Sequence, residues 1–161
     1  YNYHTGLIKN KDLMLTKKNI DTITSQYKDK KLKLIFNFPV LIKYKKEFIK
    51  KELKFNIFMR NLFRRLSSLC AFYGQEMDIY FNKYLEEAKK IKVLENNTKW
   101  IEWSRYSSRQ NRKLKMQGLK GEIIYKGKLL EKFIKYLILG QYIHIGKNTV
   151  FGQGKYLLLN T

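Results

Sequence analysis

Acidic residues are scarce in this 161-residue chain: 13 Asp+Glu face 34 Lys+Arg, a formal net charge of +21. One cysteine, Cys70, excludes a disulfide framework and any cysteine-based zinc site. Two histidines, His4 and His144, lie far from it and from each other in sequence, so no metal site is expected. Proline occurs once, at Pro39, and neither a repeat nor a low-complexity tract is present. No run of about 18 apolar residues exists, which excludes a helix crossing a membrane. No signal peptide is recognisable, and a reducing cytoplasm is the expected compartment. The chain opens on Tyr1 instead of Met and reads as a fragment of something longer.

What is present is a folding sequence. Apolar residues make up 44% and aromatics 15%, far from the aromatic-poor composition of disordered chains. The length suits one domain with a real core. Lysine outnumbers arginine 28 to 6, and Asn, Ile and Tyr are plentiful, so part of the charge reflects an adenine-thymine-rich coding bias. The excess is still spread evenly, +10 over residues 1–80 and +11 over residues 81–161. It therefore belongs to the folded body, where self-repulsion opposes compactness unless a polyanion relieves it. Nucleic acid is the leading expected partner, ahead of an anionic membrane surface or an acidic protein.

Residues 1–31 read as a polar lead-in, with weak alternation at Leu13 and Leu15, or the remnant of an upstream domain. Residues 32–161 hold the main domain. Leu32, Leu34, Phe36 and Phe38 alternate with polar or outward positions, a half-buried strand that bends at Pro39. Phe55, Phe58, Met59, Leu62, Leu66, Leu69, Cys70 and Tyr73 form a helical stripe, with Arg60, Asn61, Arg64, Arg65, Ser67 and Ser68 opposite. Gly74 is placed as a left-handed C-cap. A shorter helix is expected over 76–91, with Ile79, Tyr80, Tyr84 and Ala88 inward, then a turn at 95–99. Strands follow at 100–107 and around Leu119, Ile123 and Tyr125, joined by a basic link, 108–118. A helix over 128–139 ends at Gly140; short strands at 142–145 and 156–159 finish the chain. The order is βαββαβ, an α+β ferredoxin-like (RRM-type) sandwich with an antiparallel sheet and helices on one face.

Two segments carry candidate chemistry. Gly140, Gly146, Gly152 and Gly154 crowd into fifteen residues near the C-terminus, with Lys147 and Lys155 each following a glycine. Such a backbone approaches a phosphate closely, although the spacing is neither a P-loop nor a Rossmann fingerprint. A plain glycine-rich turn between strands is the alternative. His144, between Ile143 and Ile145, is expected to share a strand face with Tyr142 beside this loop. There it serves proton transfer, or it hydrogen-bonds and shapes the loop. His4 is read as terminal and solvated. The second segment gathers Arg105, Arg109, Arg112 and Lys113 with Tyr106, Trp100 and Trp103 nearby. Guanidinium forks suit phosphates and aromatic rings suit bases, the alternative being a strand with a solvated basic edge. Trp103, Phe55 and Tyr73 are read as core.

The glycine-rich segment resembles the loop near the C-terminus of the RAMP superfamily, most of all the CRISPR repeat-processing endoribonucleases (the Cas-six family). Residues 32–40 look like that family's strand ending in a bend before a variable loop. Residues 55–74 are similar to the long first helix of its C-terminal half, and 105–110 with 118–125 to its central strand pair. The resemblance covers about 130 residues in order. It implies binding of CRISPR repeat (precursor) RNA and a cut needing no metal and no cofactor. In such a cut a 2′-hydroxyl attacks the adjacent phosphate, leaving a 2′,3′-cyclic phosphate and a 5′-hydroxyl. It also implies a first ferredoxin-like half, absent here, that in many members carries the general-base histidine. Other Cas proteins are possible partners by the same resemblance. A non-catalytic guide-RNA-binding RAMP subunit and a housekeeping RNA-binding module are the rival readings.

Overall fold

The computed structural model describes residues 16–27, 30–74 and 81–160. His4, Leu13, Leu15, Ile79 and Tyr80 lie outside the described residues. The chain runs α1 (Lys17–Ser25), β1 (Lys31–Val40), β2 (Lys43–Tyr44), β3 (Glu47–Phe48), α2 (Phe55–Tyr73) and α3 (Phe81–Ala88). It continues through β4 (Lys92–Ser107), β5 (Arg112–Lys126), α4 (Ile134–Ile143) and β6 (Leu157–Asn160). Four strands form one antiparallel sheet in the order β4-β5-β1-β6, and β2-β3 is a separate hairpin. Without α1, the small hairpin and α3, the order is βαββαβ. The fold is ferredoxin-like, as its periodicity dictates.

The core forms because one face of β1 and one stripe of α2 are apolar at matching periods. Leu32, Leu34 and Phe36 are buried, as are Tyr125 and Ile123 opposite Leu32 and Leu34 on β5. Phe55, Phe58, Met59 and Leu62 of α2 pack onto them with Leu137 of α4. Edge-to-face ring pairs join the layers: Phe55–Tyr125 at 5.0 Å and Phe58–Tyr156 at 5.2 Å between centroids. Each is worth about 0.5–1.5 kcal/mol beyond its buried area. Both tyrosine hydroxyls are fully buried and donate 2.7 Å bonds, Tyr125 to the Leu53 carbonyl and Tyr156 to the Leu137 carbonyl. Burial pushes both phenols well above their ordinary range, so neither ionises near neutrality.

Several expectations are corrected. The lead-in carries a helix: Thr16 caps α1 with a capping box, and Ile20 and Ile23 pack against the core. Tyr73, read as core, is 87% exposed, as is Phe72 beside it at 81%: among the described residues the apolar stripe of α2 loses its cover in the last turn. Asn61, read as outward, is buried, its amide donating to the Ile57 carbonyl at 3.0 Å. Gly74 caps α2 in an extended conformation, φ −153°, not a left-handed one. The expected turn at 95–99 lies inside β4, whose ladder with β5 overrides the poor strand propensity of Asn96 and Asn97. The basic link is a strand too. The turn spans only residues 108–111, and Arg112 already pairs with Ser107.

The expected strand at 142–145 is the end of α4 and the turn after it, and Gly140 sits inside that helix. Its glycine is required by packing, since a Cβ there would stand 2.1 Å from the Tyr156 hydroxyl oxygen. Trp103, read as core, is 37% exposed.

One proportion matters for the site. β1 last pairs with β5 at Val40↔Leu119, yet the β4–β5 ladder continues to Ser107↔Arg112. At roughly 3.3 Å per residue, this leaves a two-stranded ribbon about 20 Å long beyond the sheet.

Candidate nucleic-acid interface

The glycine-rich loop is stitched to the far end of β1. The Lys147 N–H donates to the Leu41 carbonyl at 2.8 Å, and Gly154 N–H to the Pro39 carbonyl at 3.0 Å. Ile145 N–H closes the loop on itself, donating to the Gly154 carbonyl at 3.0 Å, and the Ile145 side chain is fully buried. Gly146 (φ +85°) and Gly154 (φ +81°) permit this closeness. A Cβ would come within 2.4 Å of the Leu41 oxygen at the first and 1.9 Å of the Ile145 oxygen at the second. Between them Asn148 and Gly152, both left-handed, bracket a 3-10 turn, Thr149–Phe151. The outer arch leaves Lys147, Val150, Phe151 and Gly152 exposed.

The ribbon leans on this arch. The Arg105 guanidinium lies over the Phe151 ring, 4.6 Å from its centroid. Buried Gln153 ties the two from beneath, its side-chain amide donating to the Gln117 carbonyl at 2.9 Å. Register then places the other expected contacts. Arg105↔Leu114 and Ser107↔Arg112 share one face, so Arg112 stands beside Arg105 on the side of the loop. Lys113 pairs with Tyr106 on the opposite face, and Arg109 is in the exposed turn. The structure therefore brings Arg105 and Arg112 to the loop with Gly146, Lys147, Gly152, Gly154 and Lys155. Lys113 and Arg109 sit at the ribbon's other face and tip.

His144 is the C-cap of α4 at φ +60°, its N–H donating to the Gly140 carbonyl at 3.1 Å. It is half-buried at the root of the loop. Burial chiefly lowers its pKa below the usual imidazole value, and the Lys155 and Arg65 cations add to the shift. A hydrogen bond with the Gln153 backbone opposes it. The ring is neutral at pH 7 and set among cations. Arg65 escaped the sequence reading, which placed it on a solvated helix face. No local signal marked it, since its partner His144 lies 79 residues on in the chain.

Among the described residues no three of His, Cys, Asp and Glu come together, so this geometry offers no cluster to hold a metal. No helix among them is long and apolar enough to cross a membrane.

A search of curated proteins finds no match. Among solved structures, the fold matches a Cas6-RT-Cas1–Cas2 complex with a TM-score of 0.65 at 14% identity, over 97% of this chain and 29% of that one. It matches Thermus thermophilus Cas6 with a TM-score of 0.64 at 14% identity, over 87% of this chain and 57% of that one. A Cas6 product complex matches with a TM-score of 0.55 at 16% identity, over 88% and 58%. The chain thus spans well under two thirds of each, and at such identities these likenesses carry the fold alone. Residues 34–156, most of the chain, match the family model of the CRISPR-associated endoribonuclease Cas6. The loop, the strands that hold it and the long helix behind it all fall within that match, and the chain belongs to the Cas6 family.

Proposed function

We propose that this chain is the RNA-holding, C-terminal ferredoxin-like domain of a CRISPR repeat-processing endoribonuclease. The observation that carries the reading is the Arg105–Phe151 contact. It makes one continuous basic surface of the ribbon and the glycine-rich loop, on a chain of the Cas6 family. Precursor repeat RNA lies across that surface. Arg105 and Arg112 take phosphates on the face of the ribbon beside the loop. Arg109 at the tip and Lys113 on the far face take those of the strand as it wraps the ribbon, while Lys147, Lys155 and the backbone at Gly146, Gly152 and Gly154 hold the strand at the loop. The cut is an attack of a 2′-hydroxyl on the neighbouring phosphate. It breaks the bond to the 5′-oxygen and leaves a 2′,3′-cyclic phosphate and a 5′-hydroxyl, with no metal or other cofactor. It needs a base, an acid and positive charge at the phosphate. Lys147 and Lys155 supply the charge. His144, neutral at pH 7, stands where it can move a proton, and further catalytic groups come from the remainder of a longer protein. Other Cas proteins are its protein partners, a class exemplified by the Cas6-RT-Cas1–Cas2 assembly. A cytoplasmic setting fits that substrate.

The test is repeat RNA incubated with the chain in EDTA and read on denaturing and native gels. A single cut with a cyclic-phosphate end puts catalysis within these residues, and His144→Ala then abolishes it. Intact but shifted RNA makes this the holding domain. RNA neither bound nor cut overturns the reading. A titration adds a second check. Burial chiefly depresses the His144 pKa, with Lys155 and Arg65 adding to it. Phosphates bound at those two cations should remove their part of the shift and move the pKa back toward the ordinary value of about 6.5. RNA binding therefore tightens as pH falls through that range, and an NMR titration of the ring with and without RNA reads the shift. An unmoved pKa would place His144 away from the bound strand.

A further inference from the structure

A groove of about 1070 Å³ opens between the β2–β3 hairpin, the outer face of α2 and the start of α3. Six cations line it: Lys43, Lys45, Lys46, Arg60, Arg64 and Lys147. Among the described residues no carboxylate lines it, and none of the six takes part in an ion pair. Such a cluster repels itself, and a polyanion relieves that repulsion. Its volume lies at or beyond the roughly 300–1,000 Å³ typical of small-molecule pockets, which favours a length of strand over one nucleotide. Tyr44 and Phe81 in its wall offer rings for bases.

The hairpin tip gives an independent pointer. Lys45 (φ +47°) and Lys46 (φ +69°) are both left-handed between two-residue strands. That is the type I′ arrangement, in which Asn-Gly is favoured and two lysines are strained. Charge is kept where the backbone disfavours it, as happens at functional sites. Lys147 then connects the groove to the glycine-rich loop, since it belongs to both.

We infer that this groove is a second RNA-backbone site, taking the single-stranded stretch that adjoins the segment held at the glycine-rich loop. The inference rests on the reading that RNA is the ligand there.

The experiment measures the affinity of the full chain for two RNAs across a salt series. One RNA covers the loop site alone, and the other carries a single-stranded extension. Wild type should bind the extended RNA more tightly. Lys45→Asn/Lys46→Gly should melt higher than wild type yet lose that gain, roughly 20-fold at 0.1 M salt. Its salt slope should fall by about 1.4, as expected for two lost phosphate contacts on a single strand. Lys45→Gln/Lys46→Gln keeps the strained turn and should lose the same affinity. Equal binding of both RNAs by wild type, or no loss in either variant, overturns the inference while the loop reading stands. Displacement by an acidic peptide with no gain from the extension overturns it in favour of a protein partner. Failure of wild type to bind either RNA removes the loop reading itself, and the groove with it.

Discussion

Gly154→Ala should dislodge the glycine-rich loop, while Gly152→Ala should leave it in place. Both glycines have φ +81°, so backbone strain alone predicts equal effects, about 1–2 kcal/mol each. Their surroundings separate them. A Cβ at Gly152 meets nothing within 4 Å, whereas one at Gly154 stands 1.9 Å from the Ile145 oxygen and 2.9 Å from its nitrogen. Those are backbone atoms of a residue whose side chain is locked in the core, so no rotamer change relieves the clash. The loop must part from Pro39, and the bonds Gly154 N–H to Pro39 and Ile145 N–H to Gly154 are lost. With about 1 kcal/mol for each bond, the total comes to about 3–4 kcal/mol. Urea unfolding should show a gap of about 2 kcal/mol between the variants, the two lost bonds, because the strain is common to both. RNA binding should collapse only for Gly154→Ala. Equal losses would mean that the loop is not held by this contact.

Replacing Arg105, Arg109, Arg112 and Lys113 together with alanine should leave thermal stability almost unchanged and cut RNA affinity roughly 200-fold at 0.15 M salt. The figure follows from counterion release, with four fewer phosphate contacts lowering the salt slope by about 2.8 for a single strand. Nothing in the core depends on these side chains, all of them exposed on the ribbon. The control removes four exposed lysines at the other end of the hairpin, Lys90, Lys92, Lys126 and Lys128. They carry the same total charge, so the general attraction falls equally. An equal loss in the control would sink the ribbon as the binding element and leave only a diffuse positive field.

Much of the fold was legible because half-burial writes a period into the sequence. The alternation from Leu32 to Phe36 and the stripe from Phe55 to Leu66 are each the trace of one buried face. The readings failed where the cause is remote. Asn96 and Asn97 suggest a turn locally, but their partners Ile123 and Glu122 on β5 impose a strand. Gly140 suggests a helix end, but Tyr156, sixteen residues on, demands the missing side chain. Tyr73 keeps the helical rhythm, yet none of the described residues covers it. At the site, the clustered glycines and arginines announce themselves by composition. Arg65 and the lysines of the β2–β3 hairpin do not, because the sites they line are assembled from segments far apart in the chain.

Among the described residues the ribbon beyond Leu119 has no third strand, and its ladder is secured to the body where Gln153 and Arg105 meet the loop. Its amides can therefore open from the tip inward in a local step that leaves the hydrophobic layers intact. A polyanion spanning both loop and ribbon must suppress that fraying, and part of its binding energy goes into ordering the arm. Affinity then becomes a readout of how firmly the arm was already zipped. Stiffening the hairpin turn at Asn111 would tighten binding without adding a single contact to the ligand.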